Sequence, residues 1–217
     1  MKSIFDKYSK RYDEWYDTYN VVFLSEIEAV KKVLPKRGKG LEVGVGTGRF
    51  ASMLGIAYGI DPSENMVKIA RNRGVDAHAG CGEEIPFANN TFDYAAIINT
   101  LCFAREPFKI LQETARVLKS SGKIVVGIID KNSFLGKFYQ KKESLFYKQA
   151  NFLETTELTK LLKTAGFGRF VYYQALFSLP KDISTVEKPR KGFDCGGFIA
   201  VGAKKLKKPE IWQNLEK

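Results

Sequence analysis

From Leu41 onward the chain alternates short apolar runs, each bounded by turn residues, with stretches whose apolar positions recur at helical spacing. That alternation predicts βαβ units and an α/β fold with a mostly parallel sheet. The expected strands are 41–43, 56–60, 76–79, 94–98, 123–129, 169–174 and 197–203, seven in all. Between the last two lies no helical segment, only 178–195, so these strands are expected to pair antiparallel. Two helical stretches precede the alternation, 3–18 and 22–34. The second places Val22, Leu24, Ile27, Val30 and Val33 near one face, and Pro35 and Gly38 end it. Pro107 suits a first helical position, with Phe108, Leu111, Ala115 and Leu118 behind it and Gly122 as the stop. Thr155 is expected to cap a further helix carrying Leu158, Leu161, Leu162 and Ala165.

Composition narrows the class. With 44% hydrophobic and 27% charged residues over 217 positions, the chain reads as one ordinary globular domain. The cysteines Cys81, Cys102 and Cys195 form no CxxC pair, which points to a reducing cytoplasm. The aromatic, charged N-terminus lacks the apolar core of an export signal, and no run approaches the roughly 18 apolar residues of a membrane span. A net charge of +11 raises nucleic acid as a partner, yet residues 41–100 carry 4 basic and 7 acidic side chains, so the excess lies elsewhere. Lys204, Lys205, Lys207 and Lys208 read as a solvated tail.

The stretch LEVGVGTGRF then changes the picture. A strand, a glycine turn and a helix start let a ligand approach the main chain closely. The spacing of Gly44, Gly46 and Gly48 is G-x-G-x-G, with Arg49 where a dinucleotide fingerprint needs its last glycine. No lysine follows as a P-loop requires. Glu42 in the strand would repel a pyrophosphate and attract a cation. Asp61, ending the second strand, can accept both hydroxyls of a ribose. A ribose without phosphates, joined to something positive, describes S-adenosylmethionine.

Five ordered stretches, LEVGVGTGRF, YGIDPSENMVKIAR, GCGEEIPFANNTFDYAAI, ETARVLKSSGKIVVGIID and FLETTELTKLLKTAGF, resemble successive motifs of the class I S-adenosylmethionine-dependent methyltransferases. The resemblance is to the small-molecule branch similar to the ubiquinone and menaquinone methyltransferases, and it covers residues 13–204. It implies a Rossmann-like, doubly wound sheet of seven strands with the last antiparallel and helices on both faces. It also implies a helical lid over 1–38, a donor-binding core over 39–130, an insertion over 131–153 and a C-terminal helix and strand pair over 154–204. Carried over, it implies that Gly44, Gly46, Thr47 and Gly48 border the methionine portion and that Glu42 reaches its ammonium. Asp61 and Pro62 would lie at the ribose, Met66 on one adenine face, Cys81, Gly82 and Glu83 at the adenine edge, and Asn99 and Leu101 opposite. Two departures stand out. Cys81 replaces the aspartate that accepts from the adenine amino group, and a thiol is a poor acceptor. The span from Gly48 to Asp61 is short, so its helix should be stubby.

Methyl transfer from a sulfonium is an in-line displacement, and orientation and desolvation can supply about 7–11 kcal/mol of its barrier. The sequence assigns no catalytic base. His78 falls within a strand and reads as structural, Cys102 reads as core, and no Asp/Glu/His cluster suggests a metal. Asn99-Thr100-Leu101-Cys102 lacks the Pro-Pro-aromatic signature of amino-group methylation on nucleic-acid bases. Tyr12, Tyr16, Phe138 and Tyr139 are the candidate acceptor-binding residues, on the lid and the insertion. The expected activity is methyl transfer to a small molecule. Two alternatives stay open: RNA as the acceptor, or a protein that binds the donor without catalysis.

Overall fold

The computed structural model describes residues 4–207, whose elements run α1 (Ile4–Lys7), α2 (Ser9–Thr18), α3 (Asn20–Lys31), β1 (Gly40–Val43), α4 (Arg49–Leu54), β2 (Tyr58–Asp61), α5 (Glu64–Asn72) and β3 (Asp76–Ala79). There follow β4 (Phe92–Ile98), α6 (Pro107–Val117), β5 (Leu118–Ile129), α7 (Phe134–Lys141), α8 (Thr155–Thr164), β6 (Phe167–Ala175), β7 (Arg190–Lys191) and β8 (Phe198–Lys205). The strands make one mixed sheet in the order β3-β2-β1-β4-β5-β8-β6-β7. The five strands β1 to β5 pair parallel, while β8 runs antiparallel to both β5 and β6.

The sheet has eight strands rather than the expected seven. The additional one, β7, is a two-residue exposed pairing of Arg190 and Lys191 with Gln174 and Tyr173, too short and polar to leave an apolar signature. The expected first helix is two, broken at Tyr8, and its first position, Ser3, lies outside the described residues. The helix from Pro107 ends at Val117, not near Gly122, because β5 begins at Leu118 and runs through the glycine. Thr155 is the first residue of α8 and not its cap. The N-cap is Glu154, and the helix start is held by the Asp130 carboxylate just past β5, whose Oδ2 accepts from Thr155 N at 2.7 Å and from Thr155 Oγ1 at 2.6 Å. Lys204 and Lys205 belong to β8, where Lys205 Nζ donates to the Leu118 carbonyl, so the tail begins later; Lys208 lies outside the described residues.

Alternation along the central strands divides the core in two. Tyr94, Ala96 and Ile98 of β4 face α3, α4 and α5, whereas Ala95 and Ile97 face α6 and α8. Burying both faces explains why the strands read as continuous apolar runs. The helix α4 spans six residues and ends at Gly55. Strand order reverses between β1 and β4, so the loops after β1, β2 and β4 open into one crevice at their C-terminal ends. Among the described residues, no helix is long and apolar enough to cross a membrane.

Candidate active site

The crevice holds a cavity of about 350 Å³, within the range of roughly 300–1,000 Å³ usual for small-molecule sites. Gly44, Gly46, Asp61, Pro62, Met66, Cys81, Gly82, Glu83 and Asn99 all line it. Gly46 has φ +52, and a Cβ there would meet nothing nearer than Tyr12 Cε1 at 4.0 Å, so this peptide presents bare backbone to the cavity. The Asp61 carboxylate fixes that loop: Oδ2 accepts from Gly46 N at 3.0 Å and Oδ1 from Ser63 N at 2.9 Å. Burial raises its pKa to about 6, against the pull of those two hydrogen bonds. Ser63 Oγ in turn accepts from Met66 N at 3.2 Å, capping α5 and seating Met66, which is almost wholly buried.

Four of the residues expected at the donor stand back from the cavity wall. Glu42 is 1% exposed beneath the glycine turn, with one carboxylate oxygen unpartnered, and burial pushes its pKa well up. Thr47 turns away, its hydroxyl donating to Asp13 Oδ1 at 2.6 Å. Gly48 packs against Ala70 of α5, and Leu101 is buried in the core on the α6 side. Cys81 Sγ donates to Glu83 Oε2 at 2.5 Å across the cavity rim.

A second cavity of about 300 Å³ adjoins the first, and Tyr12, Asn99, Thr100 and Phe103 line both. Its walls come from the N-terminal helices, the end of β5 and the segment 139–153, which Asn151 N ties down through a 2.6 Å hydrogen bond to the Cys102 carbonyl. Tyr12, Tyr16 and Tyr139 all face it; Phe138 does not. The helix α7 turns Leu135 and Tyr139 inward and leaves Phe138 39% exposed, near Lys142 on the outer side. Burial pushes the Cys102 thiol up to about 12, so it is no thiolate nucleophile, and His78 pairs with Asp76 on β3 away from both cavities. Among the described residues no group of three or more His, Cys, Asp or Glu is placed to hold a metal.

The residue that sequence reasoning missed is Glu26. It sits on α3, 2% exposed, and lines the second cavity. Burial lifts its pKa to about 8, opposed only by a hydrogen bond from Asn99 Nδ2 at 3.4 Å. Asn99 itself is held at φ +52, an uncommon conformation for a residue with a side chain, and its Oδ1 has no partner. The available signal was its spacing: Glu26 falls four residues after Val22 and four before Val30, an acid on the apolar face of α3.

Comparison with known proteins agrees with this architecture. Residues 41–126 match the methyltransferase domain family. An uncharacterized protein of Methanocaldococcus jannaschii is 46% identical, over 94% of this chain and 100% of its own. The crystal structure of a SAM-dependent methyltransferase of Thermotoga maritima, "possible histamine N-methyltransferase", superposes with a TM-score of 0.90 at 42% identity, covering 93% of this chain and 98% of that one. A demethylmenaquinone methyltransferase of Corynebacterium kroppenstedtii is 34% identical over 57% of each chain. With the glycine turn, the Asp61 carboxylate and the strand reversal in one crevice, and with relatives of this closeness, the chain belongs to the class I S-adenosylmethionine-dependent methyltransferases.

Proposed function

We propose that this enzyme transfers the methyl group of S-adenosylmethionine to a small-molecule acceptor by direct displacement, with the donor in the first cavity and the acceptor in the second. The observation that carries the reading is the junction: the two cavities meet at Tyr12, Asn99, Thr100 and Phe103. The donor supplies an electrophilic methyl group whose departure leaves a neutral thioether. The chain's own part is alignment and exclusion of water.

Asp61 would accept from the ribose hydroxyls, the Gly44 and Gly46 backbone would border the methionine portion, and Met66 with the Cys81–Glu83 turn would flank the adenine. The Glu42 carboxyl lies under the same loop with one oxygen unpartnered, and burial favours its neutral form. The helices α1 and α2 act as a lid, since Phe5 and Tyr12 overhang the first cavity. A cavity of only about 300 Å³ supports a compact acceptor over a polynucleotide. The Thermotoga and Corynebacterium relatives are named for histamine and for demethylmenaquinone, both small molecules. Three free thiols, two of them exposed, fit a reducing cytoplasm.

Calorimetric titration with S-adenosylmethionine and its demethylated product tests the donor site, and absence of binding to either would reject the proposal. Labelled donor offered with amines, phenols, quinones and RNA tests the acceptor; label in RNA alone would overturn the small-molecule part.

A further inference from the structure

The second cavity contains an acid that simple alignment leaves without a task. Glu26 is buried among Tyr12 and Tyr16 of α2, Tyr139 of α7 and Tyr147, all of which line the same space. Among the described residues it has one hydrogen bond, from Asn99, and no Lys, Arg or His pairs with it. Burying a carboxyl without a cation is costly, and a helix that only needed packing would carry an apolar side chain there. The tyrosines are ordered about it: the Tyr12 and Tyr16 hydroxyls lie 3.0 Å apart, and the Tyr139 and Tyr147 rings have centroids 4.3 Å apart. Close by, the unpartnered Asn99 Oδ1 offers a further acceptor at the junction with the donor cavity.

We infer that Glu26 recognises the methyl acceptor and that this acceptor is a small primary or secondary amine, bound with its nitrogen between the Glu26 carboxyl and Asn99. The chemical step rests on the methyl-transfer reading above, whereas recognition of the amine by Glu26 is measurable on its own. The choice of an amine follows from charge. The ionisable side chains inside the cavity are acids, Glu26 and the tyrosines together with the Cys102 thiol, while Arg11, Lys142 and Glu143 stand exposed at its mouth. An ammonium beside Glu26 favours its carboxylate form and is attracted to it, whereas a phenolate or enolate gains no such partner and would be repelled wherever Glu26 ionises. The tyrosine faces add cation–π attraction.

The proton balance closes without a further reactant. At neutral pH the empty cavity holds Glu26 as the neutral acid, so an arriving ammonium first displaces that proton to solvent, then gives one of its own to the carboxylate and becomes a neutral amine. Its lone pair forms the nitrogen–carbon bond as the methyl carbon–sulfur bond breaks, and the positive charge passes from sulfur to nitrogen. Glu26 is left protonated, as in the empty cavity, and the one proton already released to solvent closes the balance. Burial, which lifts the Glu26 pKa to about 8, makes that carboxyl a better proton acceptor than an exposed one.

Ring-bearing amines, each paired with an alcohol of the same shape such as 2-phenylethylamine against 2-phenylethanol, should be titrated calorimetrically with and without the demethylated donor product. Amines of the panel should bind about 10- to 100-fold tighter than their alcohols, the scale of charged hydrogen bonds. Glu26→Gln should erase that preference while leaving affinity for the donor product within about twofold, since Glu26 lines only the second cavity. Should Glu26→Gln fail to fold, Glu26→Asp serves, with an intermediate preference expected. No amine preference in the wild type, or one that survives in Glu26→Gln, overturns the assignment even if donor binding is intact. Failure to bind the donor product would instead count against the methyl-transfer reading, and the amine arm would still decide the role of Glu26.

Discussion

Asp13 grips Arg49 side-on, its Oδ1 2.9 Å from Nε and its Oδ2 2.9 Å from Nη2. The same Oδ2 takes Arg73 Nη2 at 2.6 Å, and Arg49 also reaches Asp17. Burial raises the Asp13 pKa, but the hydrogen bonds from Arg49, Thr47 and Arg73 overcome it and hold the carboxyl at about 2. The helix α2, proposed as a lid, is thereby tied to the first residue of α4, just past the glycine turn, and to the end of α5. Asp6 makes a second tie, accepting from Ser63 Oγ at the start of α5.

Arg49→Ala should therefore loosen the lid without altering the cavity wall, to which Arg49 does not contribute. Bidentate charged contacts of this kind are worth more than a point ion pair. We expect donor affinity to fall about tenfold, or ~1.4 kcal/mol, mostly through faster release. Stopped-flow displacement of bound donor would measure this, and an unchanged release rate would show that the latch does not control access.

Asp61 offers a sharper test because its charge state is adjustable. With its pKa raised to about 6, it is a carboxylate above that pH and protonates below it. If it accepts from the ribose, donor affinity should be flat above about pH 7 and weaken below pH 6. Asp61→Asn should flatten that dependence. Asp61→Ala should cost about 1.5–3 kcal/mol in donor binding, plus stability from the lost anchor of Gly46 N. Calorimetry across pH 5 to 8 would reveal either pattern, and a pH-independent wild type would remove Asp61 from the ribose.

The sheet was largely legible because a strand buried on both faces writes a run free of charged residues, as 94–98 and 124–129 do. The lining of the first cavity was legible for a different reason: it comes from turns directly after strands, where residue type and backbone geometry are coupled, as at Gly46 and Asp61. The second cavity had no such coupling. Tyr139 and Phe138 are adjacent aromatics, and only the pitch of α7 against Leu135 decides which one turns inward. Glu26 becomes meaningful when α3 packs beneath α2 and beside Asn99, a contact between residues 73 positions apart that no local pattern encodes.

Glu26 should also leave a mark on stability. Its folded pKa of about 8 lies above the ordinary glutamate value of 4.5, so the acid form is favoured by folding. The linked stability is fully present below about pH 4.5 and is lost as pH rises through 8, at up to about 1.4 kcal/mol per pH unit. The groups facing it, Tyr12, Tyr16, Tyr139 and Tyr147, have pKa values raised well above 10 and stay neutral across that window. Denaturant unfolding of wild type and Glu26→Gln at pH 5, 6.5 and 8 should give curves that converge or cross as pH rises, the variant losing less. Parallel curves would mean that the carboxyl ionises as freely in the folded chain as in the unfolded one.

Two glycines of the turn should separate folding from ligand binding. Both have positive φ, +74 at Gly44 and +52 at Gly46, so alanine at either carries backbone strain of about 1–2 kcal/mol. Their surroundings differ. A Cβ on Gly44 would collide with the Thr100 side chain, whose hydroxyl bonds to the Ile98 carbonyl at 2.9 Å and whose displacement would disturb the junction of both cavities. A Cβ on Gly46 would enter open space in the donor cavity. Gly44→Ala should thus lower the melting temperature and donor affinity together. Gly46→Ala should lose donor affinity out of proportion to its smaller change in melting temperature, because the added methyl occupies volume that the ligand requires. Equal losses of affinity per unit of lost stability in the two variants would argue that the turn serves the fold alone.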